Sequence, residues 1–129
     1  MKVVYKAPGQ IPEVREINHS LEEMQGLVDG HLEHIVYKPG IDIWLNEEGK
    51  VDKLLPNVAV RYEEDKDSND YYSDIICGPI FVCGYNDDGE SIELSSTKIA
   101  HMLKVLGNNQ LTVITEEAQY GVPLLNIGG

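Results

Sequence analysis

The sequence predicts an α+β fold, a mainly antiparallel sheet with two helices packed on it. Short β-prone runs come in pairs separated by turn residues, which is typical of β-hairpins. Two segments, near residues 20–29 and 96–106, carry apolar residues at helical spacing on one side only, so each needs a sheet to cover it. The length of 129 residues suits one domain. We expect an α+β domain over residues 1–107, followed by a strand and a loosely held tail over 108–129.

The strand predictions follow the turn residues. Residues 3–6 and 13–17 flank turn chemistry and predict an N-terminal hairpin, and residues 31–37 and 41–45 flank Lys38-Pro39-Gly40 and predict a second one. Further along the chain, the sequence predicts a strand at 58–62, a polar loop at 63–70, a β-prone run at 75–85, a strand at 111–115 and a loose tail at 119–129. Within the run 75–85, Gly78, Pro79 and Gly84 indicate a bulge or an edge position.

Both helices have recognisable start and stop residues. Ser20-Leu21-Glu22-Glu23 has the S-x-x-E form of a capping box, and Gly30 is the predicted stop. Ser95 or Ser96 caps the second helix, which Gly107 ends.

Composition narrows the function classes. Twenty-two acidic residues against ten basic ones give a formal net charge of −12, which repels nucleic acid. The first residues lack the apolar run of a signal peptide and no segment is long and apolar enough to span a membrane, so we expect a cytoplasmic protein of a bacterial or infected cell. Two cysteines do not make a secreted disulfide framework, and we expect both to be reduced.

The cysteines and histidines do not form a recognisable metal motif. Cys77 and Cys83 are six residues apart, which places both on one face of an uninterrupted strand as two small buried thiols. His31 and His34 could join them in a zinc site, but an offset of three puts the histidines on opposite faces of a strand. The run from Asp65 resembles the start of a calcium loop and lacks its glycine and its final glutamate. The sequence therefore predicts no metal and no cofactor.

Several short pieces, in order, carry a family resemblance that covers about residues 1–106. They are Met1-Lys2-Val3-Val4, Pro8-Gly9 with the segment 12–17, Asn46-Glu47-Glu48-Gly49-Lys50, Leu55-Pro56-Asn57, and the segment 78–82 with Asp88-Gly89-Glu90. Together they resemble the domain-of-unknown-function 3846 family. The resemblance implies a small protein of bacteria, their phages or mobile elements, and it implies no activity or catalytic residue. The acidic run 63–74 and the extension beyond Gly107 depart from the family pattern.

Three functions from different classes remain open. The first is a non-catalytic acidic binding protein, such as a phage or mobile-element factor that binds and inhibits a host defence protein through its basic surface. The second is a small-molecule or nucleotide-sequestering protein, and the third is a hydrolase with an unrecognised site. Acids outnumber bases strongly between residues 62 and 97, so we expect the first function, with tyrosines adding desolvated contact. The predicted partner-binding residues are Glu63, Glu64, Asp65, Asp67, Asp70, Tyr71 and Tyr72.

Overall fold

The computed structural model describes residues 1–128 of the chain. These residues contain two β-sheets and two α-helices. The predicted α+β class is confirmed, although the strands divide between two sheets rather than forming one. The strands are β1 (Lys2–Lys6), β2 (Glu13–Glu16), β3 (Leu32–Lys38), β4 (Ile41–Asn46), β5 (Pro56–Tyr62), β6 (Asp74–Cys77), β7 (Ile80–Tyr85), β8 (Ser91–Ile92), β9 (Asn109–Ile114) and β10 (Gln119–Ile127). The helices are α1 (Leu21–Val28) and α2 (Ser96–Leu106), and a 3-10 turn spans Glu63–Asp65.

Sheet 1 is antiparallel throughout, with the strand order β2-β1-β7-β4-β3 and with β8 paired to the end of β7. Both predicted hairpins are present, because β1 pairs with β2 and β3 pairs with β4. Sheet 2 has the order β6-β5-β10-β9 and is mixed. Its central pair, β5 and β10, is parallel, with Leu124 opposite Ala59 and Ile127 opposite Tyr62.

The run at 75–85 is not one strand, which corrects the expected bulge or edge position. The chain leaves sheet 2 after β6, turns at Gly78 and Pro79, and enters sheet 1 as β7, a central strand between β1 and β4. Gly78 has φ 93°, and a Cβ there would lie 2.6 Å from a side-chain carbon of Leu54. Glycine is therefore required at this crossing both by its backbone conformation and by the space around it.

The expected loosely held tail is also corrected. Residues 119–127 form β10, which lies between β5 and β9 and is the longest strand. Val122 and Leu125 are each 1% exposed, so this segment contributes to the core. Its Pro123 coincides with a shift in the register between β10 and β9, which is how the strand accommodates a residue without an N–H donor.

The main core lies between sheet 1 on one side and sheet 2 with α2 on the other. Apolar side chains of β1, β4 and β7 meet those of β5, β10 and α2 there, including the fully buried Ile43, Val58 and Met102. Helix α1 covers the opposite face of sheet 1, where Met24 and Val28 pack on Phe81. The prediction that each helix covers a sheet is thus confirmed.

The N-caps of both helices are serines that the sequence predicted, whereas the end of α1 differs from the prediction by one residue. The Ser20 and Ser95 hydroxyl groups accept hydrogen bonds from the backbone N–H groups of Glu23 and Lys98. The Glu23 carboxylate accepts from the backbone N–H of Asn18 at 2.9 Å, two residues before the position a capping box uses. At the end of α1 the left-handed residue is Asp29, with φ 61°, rather than Gly30.

A buried polar contact joins the two sheets at the crossing point. The Asn57 side chain donates from Nδ2 to the carbonyl oxygens of Lys6 at 2.9 Å and Gly78 at 2.8 Å. Its Oδ1 accepts from Lys6 Nζ at 2.6 Å. Asn57 is 0% exposed and Lys6 is 2% exposed, and burial lowers the pKa of Lys6 to about 8. The side-chain amide of one β5 residue is therefore hydrogen-bonded to β1 of sheet 1 and to the turn between β6 and β7.

Leu125→Ala should lower the free energy of unfolding by about 2–5 kcal/mol, because it opens a cavity in the main core. The matched control is Leu21→Ala, at a side chain that is 65% exposed, for which we expect a loss below about 0.5 kcal/mol. Urea denaturation measures both values. Equal, small losses in the two variants would mean that β10 is loosely held after all.

Lys6 should contribute a gain in stability as pH rises above pH 8. Its folded-state pKa of about 8 lies below the ordinary value of 10.5, so between these values the Lys6 side chain binds more protons in the unfolded chain and its contribution makes unfolding harder as pH rises. Lys6→Met should lose this contribution and show a lower slope of stability against pH than the wild type, whereas Lys104→Met, at an exposed lysine, should keep the wild-type slope.

Denaturation midpoints from pH 8 to pH 9.5 test the Lys6 prediction. The upper limit avoids ionisation of Tyr37 and Tyr62, whose pKa values are raised by burial from the ordinary value of 10. Cys77 and Cys83, whose pKa values burial raises from 9, lower stability with rising pH equally in all three proteins, so the slopes are compared between the proteins. The slope, and not the absolute stability, is the readout, because Lys6→Met also leaves Asn57 Oδ1 without its donor. A wild-type slope in Lys6→Met would exclude Lys6 as its source.

Candidate interaction surface

The seven residues predicted to bind a partner lie in one loop, residues 63–72, which we call the acidic loop. It joins β5 to β6 at the end of sheet 2 and begins with the 3-10 turn at Glu63–Asp65. The structure therefore brings all seven together on a single connection between two paired antiparallel strands.

Arg61, the penultimate residue of β5, organises the backbone of this loop. The Nη2 atom donates to the carbonyl oxygens of Asp65 at 3.0 Å, Lys66 at 3.2 Å and Ser68 at 3.1 Å. The Nη1 atom donates to the carbonyl oxygen of Asp70. The planar guanidinium offers several donors in a fixed geometry, so one side chain holds four points of the loop.

Further hydrogen bonds close the loop at its base and within it. Ser73 donates its backbone N–H to the carbonyl of Val60 at 2.8 Å, and its hydroxyl accepts from the backbone N–H of Tyr62 at 2.9 Å. Inside the loop, the Ser68 hydroxyl accepts from the backbone N–H of Asp70 at 3.0 Å. These contacts give the loop a defined conformation, so the polar stretch is more than a solvated connection.

The carboxylates point mostly to solvent. Glu63, Glu64, Asp67 and Asp70 are exposed, and Asp65 is half-buried. Lys66 is the one base in the loop, and its Nζ lies 3.3 Å from Glu63 Oε1 in an exposed pair. Exposed pairs of this kind contribute little energy, so the surface keeps a strong negative field.

Two tyrosines complete the acidic loop. Tyr71 is 80% exposed and Tyr72 is 37% exposed. A tyrosine at 80% exposure contributes almost no packing energy to the chain itself and offers a large area for contact. Trp44, in contrast, is partly buried and packs on Phe81 beneath α1.

The remaining acids of the stretch 62–97 belong to another part of the fold. Asp74 is the exception and lies in β6 of sheet 2, whereas Asp87, Asp88 and Glu90 lie in the turn between β7 and β8 of sheet 1 and Glu93 follows β8. Glu93 accepts a hydrogen bond from the backbone N–H of Lys2 at 2.9 Å and so has a structural role. Sequence proximity therefore overstates how far the acids of this stretch form one surface.

The concave sites differ in the charge of their linings. A pocket of about 420 Å³ is lined by Lys50 and Lys53 together with Glu116 and Glu117. A cleft of about 270 Å³ between the ends of β3 and β4 and the strand β6 has Glu33, Glu47, Glu48 and Asp74 among its lining residues. Its only cation, Lys50, is paired with Asp74, and that contact raises the pKa of Lys50. Four carboxylates against one paired lysine would repel a polyphosphate.

A smaller pocket of about 150 Å³ gathers three bases, Lys38, Arg61 and Lys66. Each already has a protein acceptor: Lys38 Nζ donates to the carbonyl of Gly128, Arg61 to the acidic loop, and Lys66 to Glu63. Binding a phosphate here would require breaking those contacts, which argues against a nucleotide pocket.

The thiols lie in different sheets, which corrects their expected position on one strand face. Cys83 is 0% exposed in β7, where its sulfur accepts a hydrogen bond from Trp44 Nε1 at 3.2 Å. Cys77 is half-buried in β6. Burial raises the pKa of both thiols, which keeps them protonated and makes them poor nucleophiles.

The histidines have packing contacts in the fold. His34 stacks on Trp44 with 4.8 Å between ring centroids, and His101 Nε2 lies 3.0 Å from the Tyr37 hydroxyl. Over residues 1–128, histidine, cysteine and acidic side chains form no group of three or more that could hold a metal ion.

Arg61 is the residue that sequence reasoning missed. A single arginine at the end of a β-prone run, directly before a stretch rich in acids, was the available signal. Charge reasoning pairs such a base with carboxylates, whereas here it donates to backbone carbonyls. The order of the loop could not be inferred without that contact.

Comparisons with known proteins give one family match. The model of the family described as domain of unknown function (DUF3846) matches residues 1–107. No curated protein and no solved structure matches the chain. Neither helix of the described residues is long and apolar enough to cross a membrane.

Arg61→Lys should loosen the acidic loop while leaving its carboxylates in place. We expect hydrogen exchange at the amides of Lys66, Ser68 and Asp70 to become at least about tenfold faster, since lysine cannot reach four carbonyl groups at once. Arg15→Lys, at an exposed arginine of β2, is the control and should leave these amides unchanged. Unaltered exchange in Arg61→Lys would show that the loop holds its conformation without the guanidinium.

Proposed function

We propose a binding function for this chain, which belongs to the domain-of-unknown-function 3846 family: it is a non-catalytic acidic protein whose acidic loop docks on a basic surface of another protein. The observation that carries the proposal is the contact of Arg61 with four backbone carbonyls. It holds exposed carboxylates and an exposed tyrosine in one arrangement before any partner arrives.

A pre-ordered loop supports binding because less conformational entropy is lost on association. A loop of ten flexible residues would have to be fixed at the moment of binding, at a cost of about 1 kcal/mol or more for each ordered residue. Here the hydrogen bonds of Arg61, Ser68 and Ser73 have already met much of that cost during folding.

Charge and aromatic contact have separate roles in this proposal. The carboxylates of Glu63, Glu64 and Asp67 attract a basic surface over a distance and speed the encounter. Tyr71 then supplies desolvated area, which is the kind of contact that gives binding its energy. Because the attraction acts between exposed charges, association should weaken as salt is added.

A basic protein surface fits this site better than a nucleotide or a substrate. Carboxylates outnumber bases in the 270 Å³ cleft, and the bases of the 150 Å³ pocket already have protein acceptors. The two lysines of the 420 Å³ pocket are balanced by two glutamates. Both thiols have raised pKa values, so neither is activated as a nucleophile. These observations favour a binding protein over the sequestering and hydrolase alternatives.

The family resemblance suggests where to look for the partner. An origin in phages or mobile elements would place the protein in the cytoplasm of a bacterial or infected cell, and a host defence protein with a basic channel or groove is the partner to test first. Inhibition would then follow from occupying that groove.

Neutralising Glu63, Glu64, Asp65 and Asp67 to the corresponding amides should slow association with the partner by about tenfold at low salt. The partner is first captured from host lysate on the immobilised wild-type chain and identified by mass spectrometry. Stopped-flow or surface-plasmon measurements with the purified partner then give the association rate at several salt concentrations.

The control variant neutralises Asp29, Asp52, Glu116 and Glu117, which removes the same number of negative charges at exposed positions outside the loop. It should keep an association rate close to that of the wild type. Equal rates for the wild type and the loop variant at low salt would disprove the proposed steering, and slowing by both variants alike would assign it to net charge.

A further inference from the structure

The open edges of the two sheets differ in how they are protected. Free strand edges expose unpaired N–H and C=O groups, and proteins usually guard them with charges, short length or a covering loop. β2 carries Glu13, Arg15 and Glu16 among its four residues, and β8 is two residues long. β3 carries Glu33 and Lys38. β6 has four residues and carries the charge of Asp74, and its end lies against the chain at Gly49, where a Cβ would be 2.2 Å from the Cys77 carbonyl oxygen.

β9 has none of these protections. Its sequence, NQLTVI, contains no charge, no proline and no glycine, and the uncharged stretch extends from Val105 to Thr115. Within residues 1–128, β9 pairs only with β10. In a chain with a formal net charge of −12, this neutral six-residue edge is the exception.

The backbone orientation shows which groups of β9 are available. Thr115 donates its backbone N–H to the carbonyl of Ala118 at 2.9 Å, so residue 115 faces β10. In a regular antiparallel pair the direction alternates along the strand, so the backbone groups of Thr112 and Ile114 face away from β10, whereas the register shift leaves Gln110 outside this alternation. All three residues are exposed, with Ile114 at 73%.

We infer that this edge is a self-association surface, on which β9 of a second copy of the chain pairs antiparallel with β9 of the first. A two-fold axis beside Thr112 would set Thr112 opposite its own copy and Gln110 opposite Ile114. The two copies of the four-stranded sheet 2 would then become one continuous sheet, and the outward backbone groups of Thr112 would pair with those of its copy.

The charge-free edge makes a second copy the occupant that we propose, because pairing β9 with itself sets no like charges opposite each other. Two identical chains of net charge −12 repel each other over most of their surfaces, and an edge without charge is where they can meet without setting like charges opposite each other. β-branched and apolar side chains at Thr112, Val113 and Ile114 favour strand pairing. Leu111 and Val113 would also extend the apolar cluster of sheet 2, which includes Val122, across the junction.

Salt separates this association from the proposed partner binding. Self-association works against repulsion between like-charged copies, so added salt should strengthen it. Binding to a basic partner through the acidic loop should weaken under the same change. The two surfaces lie at different places in sheet 2, since the acidic loop joins β5 to β6 and β9 is the opposite edge strand.

Sedimentation velocity over a range of protein concentrations, at low and at moderate salt, tests the inference. The wild type should move from the 14.4 kDa monomer towards twice that mass as concentration or salt rises. Thr112→Lys sets two positive charges opposite each other at the axis and should weaken the dimer by at least tenfold. Thr97→Lys, an equal charge change at an exposed position in α2, should leave the dimer unchanged.

Thr112→Pro gives a second, uncharged test, because it removes an outward N–H that has no partner within the monomer and should also weaken the dimer. Circular dichroism and urea denaturation confirm that each variant folds. A wild type that stays monomeric at every concentration and salt would overturn the inference, and so would a dimer that Thr112→Lys and Thr97→Lys affect equally.

Discussion

The contact of Asn57 with Lys6 and Gly78 fixes how the two sheets meet. A buried amide without partners would be costly, and here its Nδ2 donates to both carbonyls while its Oδ1 accepts from the lysine. The three residues belong to β5, β1 and the turn between β6 and β7, so they define the point where the chain passes from sheet 2 to sheet 1. Both the main core and the placement of the acidic loop depend on that crossing.

The acidic loop is held by the same strand that makes the Asn57 contact. β5 carries Asn57 near its beginning and Arg61 near its end, so one strand joins the sheets and also holds the loop. In both places a side chain of β5 donates to backbone carbonyls outside its own strand. The hydrogen bonds that hold the acidic loop therefore come from the sheet as well as from the loop sequence.

Local features of the fold were predictable from sequence, and long-range ones were not. Turn residues and capping serines located both hairpins and both helices, because these signals act within a few residues. The division of strands between two sheets depends on contacts such as β5 with β10, which no local pattern reveals. Proline and glycine in residues 119–129 suggested a loose tail. The burial of Val122 and Leu125 outweighs the low strand propensity of the proline and glycine residues. For the site, the sequence supplied the acids and tyrosines, while the Arg61 contacts that order them came from the structure.

The parallel pairing of β5 with β10 has a consequence for biosynthesis. Leu124 pairs with Ala59 about 65 positions earlier in the chain, a separation that slows folding because a long loop must close first. During translation β10 is made after every other described element. The edge of β5 that pairs with β10 therefore stays unpaired while sheet 1 can already form. A nascent chain of this protein thus holds β5 without its central partner strand for about half of its synthesis.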